Sequence, residues 1–275
     1  MALLLTLARG AVTGVGKRPS PRAALPDVRL TEPGVRIDAG RVAAYARVCG
    51  YPVPADGGDT VPAPLPLTYP HILGFPLAAR IMAARGFPLP LMGLVHTSVD
   101  IVAGTPLTTA DRPELAVHAA ELRPHRRGTE VVMVTEALLG GETVWTDRST
   151  YLARHRVDEA QAAAAEPPAP SEPLPVTGTW RLPADLGRRH ARVSGDYNPI
   201  HLHPVTARPL GFPRAIVHGM WTVARCAAET PGATRITADF RKPVLLPSTV
   251  EYAARGERFE VRSRAGLHMT GLTES

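Results

Sequence analysis

The chain has 275 residues, 44% of them hydrophobic and 5% aromatic, with a formal net charge of +6. That length suits one large domain or two of about 100–150 residues, each able to bury a core. So few aromatic rings argue against a platform for single-stranded nucleic acid. The positive charge is scattered, densest at Arg123–Arg127 and Arg188–Arg192, and predicts a phosphate-bearing ligand or an acidic carrier protein as partner, with no nucleic acid.

In chain order, the apolar run Ala2–Ala8 is short, lacks a basic flank and meets Arg9 at once. It predicts a short amphipathic helix rather than a signal peptide, within an N-terminal arm of residues 1–30. A first half, residues 31–156, holds "YARVCG" (Tyr45–Gly50) and then an apolar helical stretch at Pro70–Ala84. Period-two alternation follows, predicting strands at Val95–Val102, Glu114–Arg123, Glu130–Leu138 and Thr143–Leu152. The Ala/Pro/Glu-rich stretch Val157–Val176 has almost nothing to bury and reads as a linker, taken as residues 157–178. A second half, residues 179–275, repeats the order: "HARVSG" (His190–Gly195), a helix at Val217–Ala228, and strands at Thr234–Phe240, Ser248–Arg255, Phe259–Ala265 and Leu267–Leu272.

The two hexapeptides agree at four of six positions, which marks an internal duplication. A lone apolar helix followed by antiparallel strands buries its faces by letting the sheet curl round it. The fold class expected is therefore α+β, a double hot-dog fold with two helix-wrapped antiparallel sheets in one chain. Duplication supplies the symmetric partner that such small units need, and leaves a homodimer of the whole chain open. Nothing reaches the length of a membrane span. The two cysteines, Cys49 and Cys226, form neither a disulfide framework nor a zinc site. Two buried thiols in a reducing, cytoplasmic setting are expected.

The stretch "SGDYNPIH" (Ser194–His201) places a carboxylate, Asp196, and an imidazole, His201, on one short segment. Gly195 permits an unusual backbone angle before Asp196, and Pro199 drives Asn198 out of helical geometry. The expectation is a tight loop that aims Asp196 and His201 at one water molecule, an acid/base unit working near neutral pH. No Gly-x-Ser-x-Gly nucleophile motif accompanies it. "IVHGMW" (Ile216–Trp221) follows at the expected start of the second helix, where the Gly219 N–H and the helix dipole could hold a negatively charging oxygen.

"SGDYNPIH" followed by "IVHGM" resembles the signature of the MaoC-like hydratases, the (R)-specific enoyl hydratases and 3-hydroxyacyl-thioester dehydratases. "FRKPVLLPSTV" (Phe240–Val250) looks like that family's sheet segment, and "LPLTYPHILGFPLAARIM" with "MGLVHTSVDI" is similar to its actinobacterial double-hot-dog members. The resemblance implies hydration or dehydration of acyl-CoA or acyl-carrier-protein thioesters in fatty-acid metabolism. It makes Asp196 and His201 the catalytic pair, gives Gly219 the thioester carbonyl, and has Asn198 supporting the loop. Ser194, Asn198, His218, Arg241 and Lys242 are taken as substrate-binding candidates, His218 with a structural role as helix cap preferred to a catalytic one, and Arg241 and Lys242 either as strand-end charges or as partners of phosphates or an acidic carrier. His190 stands where the family often has an aromatic residue.

The first half departs from this pattern: Tyr51 aligns with Asp196, and Asp56 with His201. It is expected to form a wall for the acyl chain rather than a second site, with His71 and His96 either as satisfied interior groups or lining that pocket. His201 and His203 form a His-x-His pair without a third ligand, so no metal is expected, and no cofactor. Two other readings stay open: an acyl thioesterase, because fold does not fix function, and a non-catalytic acyl-thioester-binding partner subunit. The sequence does not decide whether Asp196 or His201 handles the proton at C2.

Overall fold

Every strand anticipated from period-two alternation forms, within two or three residues of its predicted ends. The computed structural model describes residues 6, 9–10, 13–14, 16–53, 62–158, 161 and 172–275. Asp56, the run Ala2–Ala8 apart from Thr6, and most of the expected linker (159–160 and 162–171) lie outside the described residues. The first half comprises β1 (Arg29–Glu32), α1 (Ala39–Cys49), α2 (Tyr69–Met82), β2 (Val95–Ala103), β3 (Glu114–His125), β4 (Gly128–Leu139) and β5 (Glu142–Arg154). The second comprises β6 (Val176–Leu182), α3 (Leu186–Ser194), a 3-10 turn at Pro199–His201 and the short α4 (Pro204–Ala207). It continues with α5 (Gly219–Ala227), β7 (Arg235–Phe240), β8 (Ser248–Arg255), β9 (Arg258–Ser263) and β10 (Gly266–Glu274).

The strands β1 and β6, the helices α1, α3 and α4, and the 3-10 turn had no counterpart in the sequence reading. β1 and β6 are edge strands; β1 is only four residues long and largely exposed, too short for alternation to show. The repeated hexapeptides turn out to be the last turns of α1 and α3. Each of these helices ends on a glycine in the left-handed region, Gly50 at φ +82° and Gly195 at φ +83°.

All ten strands form one antiparallel sheet in the order β1-β3-β4-β5-β2-β7-β10-β9-β8-β6. The first five repeat as the last five read backwards, so the duplication in sequence is a two-fold relation in space. The halves meet at β2 and β7, in register from Ser98 opposite Asp239 to Val102 opposite Arg235. Arg235 closes this seam with a two-pronged pair to Asp100, Nε and a terminal nitrogen each 3.0 Å from a carboxylate oxygen.

α2 and α5 are apolar nearly all round, burying ten of 14 and seven of nine residues respectively. A helix of that kind cannot lie on a surface and must be enclosed. α2 packs against β3 and β4, and α5 against β7. This is the double hot-dog arrangement. α1 and α3 pack together across the two-fold, where Arg41 of α1 donates to the carbonyls of Val193 (2.8 Å) and Ser194 (3.2 Å) at the end of α3. Trp221 Nε1 donates to Val48 O at 2.8 Å, a second tie between halves. The described part of the N-terminal arm is tied to the end of α2, with Thr13 Oγ1 donating to Ala83 O and Lys17 Nζ to Ala84 O. A cation there meets the negative end of the helix dipole. No helix among the described residues is long and apolar enough to cross a membrane.

Candidate active site

The loop after α3 takes its shape from its own polar groups. Gly195 turns the chain, and the Asp196 N–H donates to Ser194 Oγ at 3.2 Å. Asp196 Oδ1 accepts from the Asn198 N–H at 3.0 Å. Asn198 is extended (φ −55°, ψ 125°), as a residue before proline must be, and its Oδ1 accepts from the Ile200 N–H at 3.3 Å. The 3-10 turn Pro199–His201 then brings His201 back beside Asp196; the sequence reading had expected plain loop here. Ser194 and Asn198 thus both support the loop, and both line the cavity below.

His201 is buried, and its Nδ1 lies 2.9 Å from Ile216 O. A carbonyl only accepts, so Nδ1 carries the hydrogen and Nε2 keeps its lone pair. Burial and then the neighbouring His218 push the His201 imidazole down to about 3, against the pull of Asp196. The ring is therefore neutral at physiological pH. His218, just before the first residue of α5, makes no side-chain cap of that helix. Its Nε2–H instead donates to the backbone carbonyl of Asp196 at 3.0 Å, and its ring stacks on His201 with centroids 3.7 Å apart. His218 is thus a strut for the loop that carries Asp196 and His201.

A carboxylate oxygen of Asp196 and one ring nitrogen each of His201 and His218 lie within 4.8 Å of one another. Ordinary hydrogen bonds of about 2.8 Å on either side let one water bridge such a gap. The same three atoms could hold a metal ion, a trio absent from the sequence reading, where the only pair considered was His201 with His203. His203 is exposed, and its Nδ1 accepts from the Val205 N–H. The second imidazole of the trio comes instead from His218, 17 positions after His201 in the chain.

These groups open on a cavity of about 730 Å³ lined by both halves, a size typical of small-molecule sites. Gly219 begins α5 at its wall, and a Cβ there would lie 2.9 Å from the ring of Phe240. The N–H groups of a first helical turn lack intrahelical acceptors and face the positive dipole end. An apolar arm is walled by Ile72, Phe75, Met82, Leu91 and Leu94. Exposed Arg126, Arg127, Arg154, Arg241 and Lys242 also line the cavity. Of the two expected cations, Arg241 lies 3.5 Å from Asp239 and Lys242 Nζ donates to Ala265 O at 2.6 Å.

In the first half, residues 51–53 are the described part of the stretch that aligns with the loop. Tyr51, aligned with Asp196, shares a buried hydroxyl cluster with Tyr45 and Thr68. The first half supplies His71 and His96 to the cavity wall. His71 Nδ1 is hydrogen-bonded to Asp147, a buried carboxylate that sequence reasoning passed over. The signal was present: in the alternation of β5, Asp147 falls on the inward set with Trp145 and Ser149, where an unpaired charge is too costly to keep. His96 is pushed down to about 3 by burial, then by His71, and stacks between Tyr151 and Phe240. His190 lies buried between Tyr45 and His218, both ring nitrogens without a protein partner.

Comparison with known proteins agrees with this geometry. Residues 159–273 match the model of the MaoC like domain. Over 240 residues, 85% of this chain and 82% of the relative, the sequence is 37% identical to 3-hydroxyacyl-thioester dehydratase X of Mycobacterium tuberculosis. The crystal structure of HtdX from the same organism superposes with a TM-score of 0.75 at 32% identity, over 90% of this chain and all of that one. Another Mycobacterium tuberculosis protein, described as having a double hot-dog fold, matches at 0.53 over 89% of this chain and 94% of that one; at 12% identity this speaks for the fold alone. With a relative this similar along most of both chains, and the Asp196–His201 loop beside a helix start in a cavity lined by both halves, the protein belongs to the MaoC-like dehydratase family.

Proposed function

We propose that the protein is a hydro-lyase that reversibly hydrates 2-enoyl thioesters to (R)-3-hydroxyacyl thioesters, with coenzyme A or an acyl carrier protein as the thiol part. The observation that carries this is the meeting of Asp196 and His201 in a cavity of about 730 Å³, with the start of α5 alongside. Relatives named for this chemistry include the dehydratase X of Mycobacterium tuberculosis and the peroxisomal enoyl-CoA hydratase 2 of Arabidopsis thaliana.

In the hydrating direction, a water held between the Asp196 carboxylate and His201 Nε2 forms its O–C bond at C3. One water O–H bond breaks, and its proton passes to the pair. The C2–C3 π electrons move toward the thioester carbonyl, whose oxygen gains negative charge. The Gly219 N–H, reinforced by the dipole of α5, holds that oxygen. The pair then returns a proton to C2, on the same face, which completes a syn addition. Ile216 O fixes the His201 tautomer that leaves Nε2 able to accept.

The second half, 179–275, carries this acid/base loop, and the first, 31–156, walls the acyl arm, with residues 1–30 as an arm and 157–178 joining the halves. Arg241 and Lys242, with the cations beside them, suit the phosphates of coenzyme A or a phosphopantetheine-bearing acidic carrier. The site is assembled from the halves of one chain, so a homodimer is not needed to build it. A cytoplasmic location rests on the two free, buried thiols, Cys49 and Cys226, which a reducing compartment would preserve. Incubating the protein with 3-hydroxyacyl-CoA and identifying the product tests the proposal: an enoyl thioester supports it, whereas a free acid identifies a thioesterase and no turnover a binding subunit.

A further inference from the structure

Asp147 is only 1% exposed, and both its oxygens are engaged: one bonds His71 Nδ1, the other accepts from Ser149 Oγ at 2.8 Å. A carboxylate that grips one ring nitrogen fixes the orientation of an imidazole, whose other nitrogen donates when both carry hydrogen. His71 lines the same cavity as Asp196 and His201, and its Nε2 has no protein partner among the described residues. His71 stands in the first turn of α2, as Gly219 stands at the first residue of α5. Both central helices therefore begin at one cavity. His96 connects the two positions, its ring 6.3 Å from that of His71 and 4.8 Å from Phe240, the ring that abuts Gly219. A run of ring contacts thus joins His71 to the start of α5 along the cavity wall. A simple tether between α2 and β5 would need neither an open Nε2 nor a place in the cavity wall.

We propose that His71, oriented by Asp147, is a further catalytic residue contributed by the first half, donating a hydrogen bond from Nε2 to the thioester carbonyl oxygen opposite the Gly219 N–H. This role takes the pair as an imidazolium beside the Asp147 carboxylate: the hydrogen on Nδ1 faces Asp147, a second sits on Nε2, and no covalent bond to His71 forms. Charge grows on the carbonyl oxygen as water adds, so the contact strengthens toward the transition state and acts on kcat rather than on binding. The inference rests on the hydratase reading above.

The test uses the full chain and its His71→Leu, His71→Gln and Asp147→Asn variants, with crotonyl-CoA for turnover, butyryl-CoA for binding, and thermal melting. His71→Leu is expected to lower kcat about 100-fold while the Kd for butyryl-CoA changes by less than about threefold. His71→Gln, whose amide still donates, should recover about tenfold of that loss, and Asp147→Asn should fall between. A His71→Leu variant that keeps half the wild-type kcat overturns the proposal, as does a loss that follows the melting temperature and is not relieved by Gln. If the wild type binds butyryl-CoA but hydrates nothing, the hydratase reading falls and this inference with it; a wild type that hydrates beside an unimpaired His71→Leu overturns the inference alone.

Discussion

Gly187, the second residue of α3, does not line the cavity, yet its replacement by alanine should reach the chemistry. A Cβ at this position would lie 1.8 Å from the carbonyl oxygen of His201, 2.9 Å from its carbonyl carbon and 3.5 Å from its Cα. The obstacle is backbone, so no rotamer relieves it. Restoring ordinary contact requires the helix and the 3-10 turn to separate by about 1.5 Å. A misplacement of about 1 Å in a reacting geometry costs on the order of 100-fold in rate. Overpacking costs about 1–3 kcal/mol, less up to about 1 kcal/mol regained because alanine favours helix over glycine. Gly187→Ala should therefore lower kcat for crotonyl-CoA hydration about 100-fold and cost only about 1–2 kcal/mol in urea unfolding. The assay is loss of enoyl-thioester absorbance, with stability measured on the same preparation. Unchanged kcat would refute the reasoning, because His201 would then not depend on α3 for its position.

Acidification should destabilise the fold through its buried imidazoles. His96 and His201 are pushed down to about 3 by burial, and His190 and His218 are lowered too, so the native state stays unprotonated while an unfolded chain takes up protons below about 6.5. His96 and His201 each remove up to about 1.4 kcal/mol per pH unit from about 6.5 down toward 3 and contribute nothing above that window, and His190 and His218 add to the fall; urea midpoints between pH 7.5 and 4.5 should fall accordingly, and His96→Phe should flatten the fall. Reversing both Arg241 and Lys242 to Glu should raise KM for coenzyme A thioesters about tenfold at low salt with little change in kcat, and added salt should shrink the difference. Arg41→Ala removes two hydrogen bonds to the end of α3 and should cost about 1–3 kcal/mol in unfolding free energy.

Much of this site could be read from the sequence because its key residues are close in the chain. Asp196, Asn198 and His201 share one loop whose glycine and proline announce its geometry, and His218–Gly219 sits where a helical pattern begins. The duplication was legible in the two hexapeptides, although their helical conformation was not: six residues span too few turns for a helical period to show. What escaped was non-local. His71 and Asp147 lie 76 positions apart, and only the pairing of α2 with the inward face of β5 makes them partners. The strut role of His218 was equally hidden, since its partner is a backbone carbonyl, which no side-chain pattern reports. The edge strands β1 and β6 gave no signal because exposed edges need little apolar alternation.

The central claim is that Asp196 and His201 share the water that adds to the acyl chain. Turnover of crotonyl-CoA by the Asp196→Asn/His201→Ala double variant tests it most directly, alongside a thermal melt. Because the two groups serve one water, their losses should not add: the account predicts a fall of about 1,000- to 10,000-fold in kcat, close to that of either single variant, with the fold retained. A folded double variant that hydrates crotonyl-CoA within tenfold of the wild-type rate would contradict it.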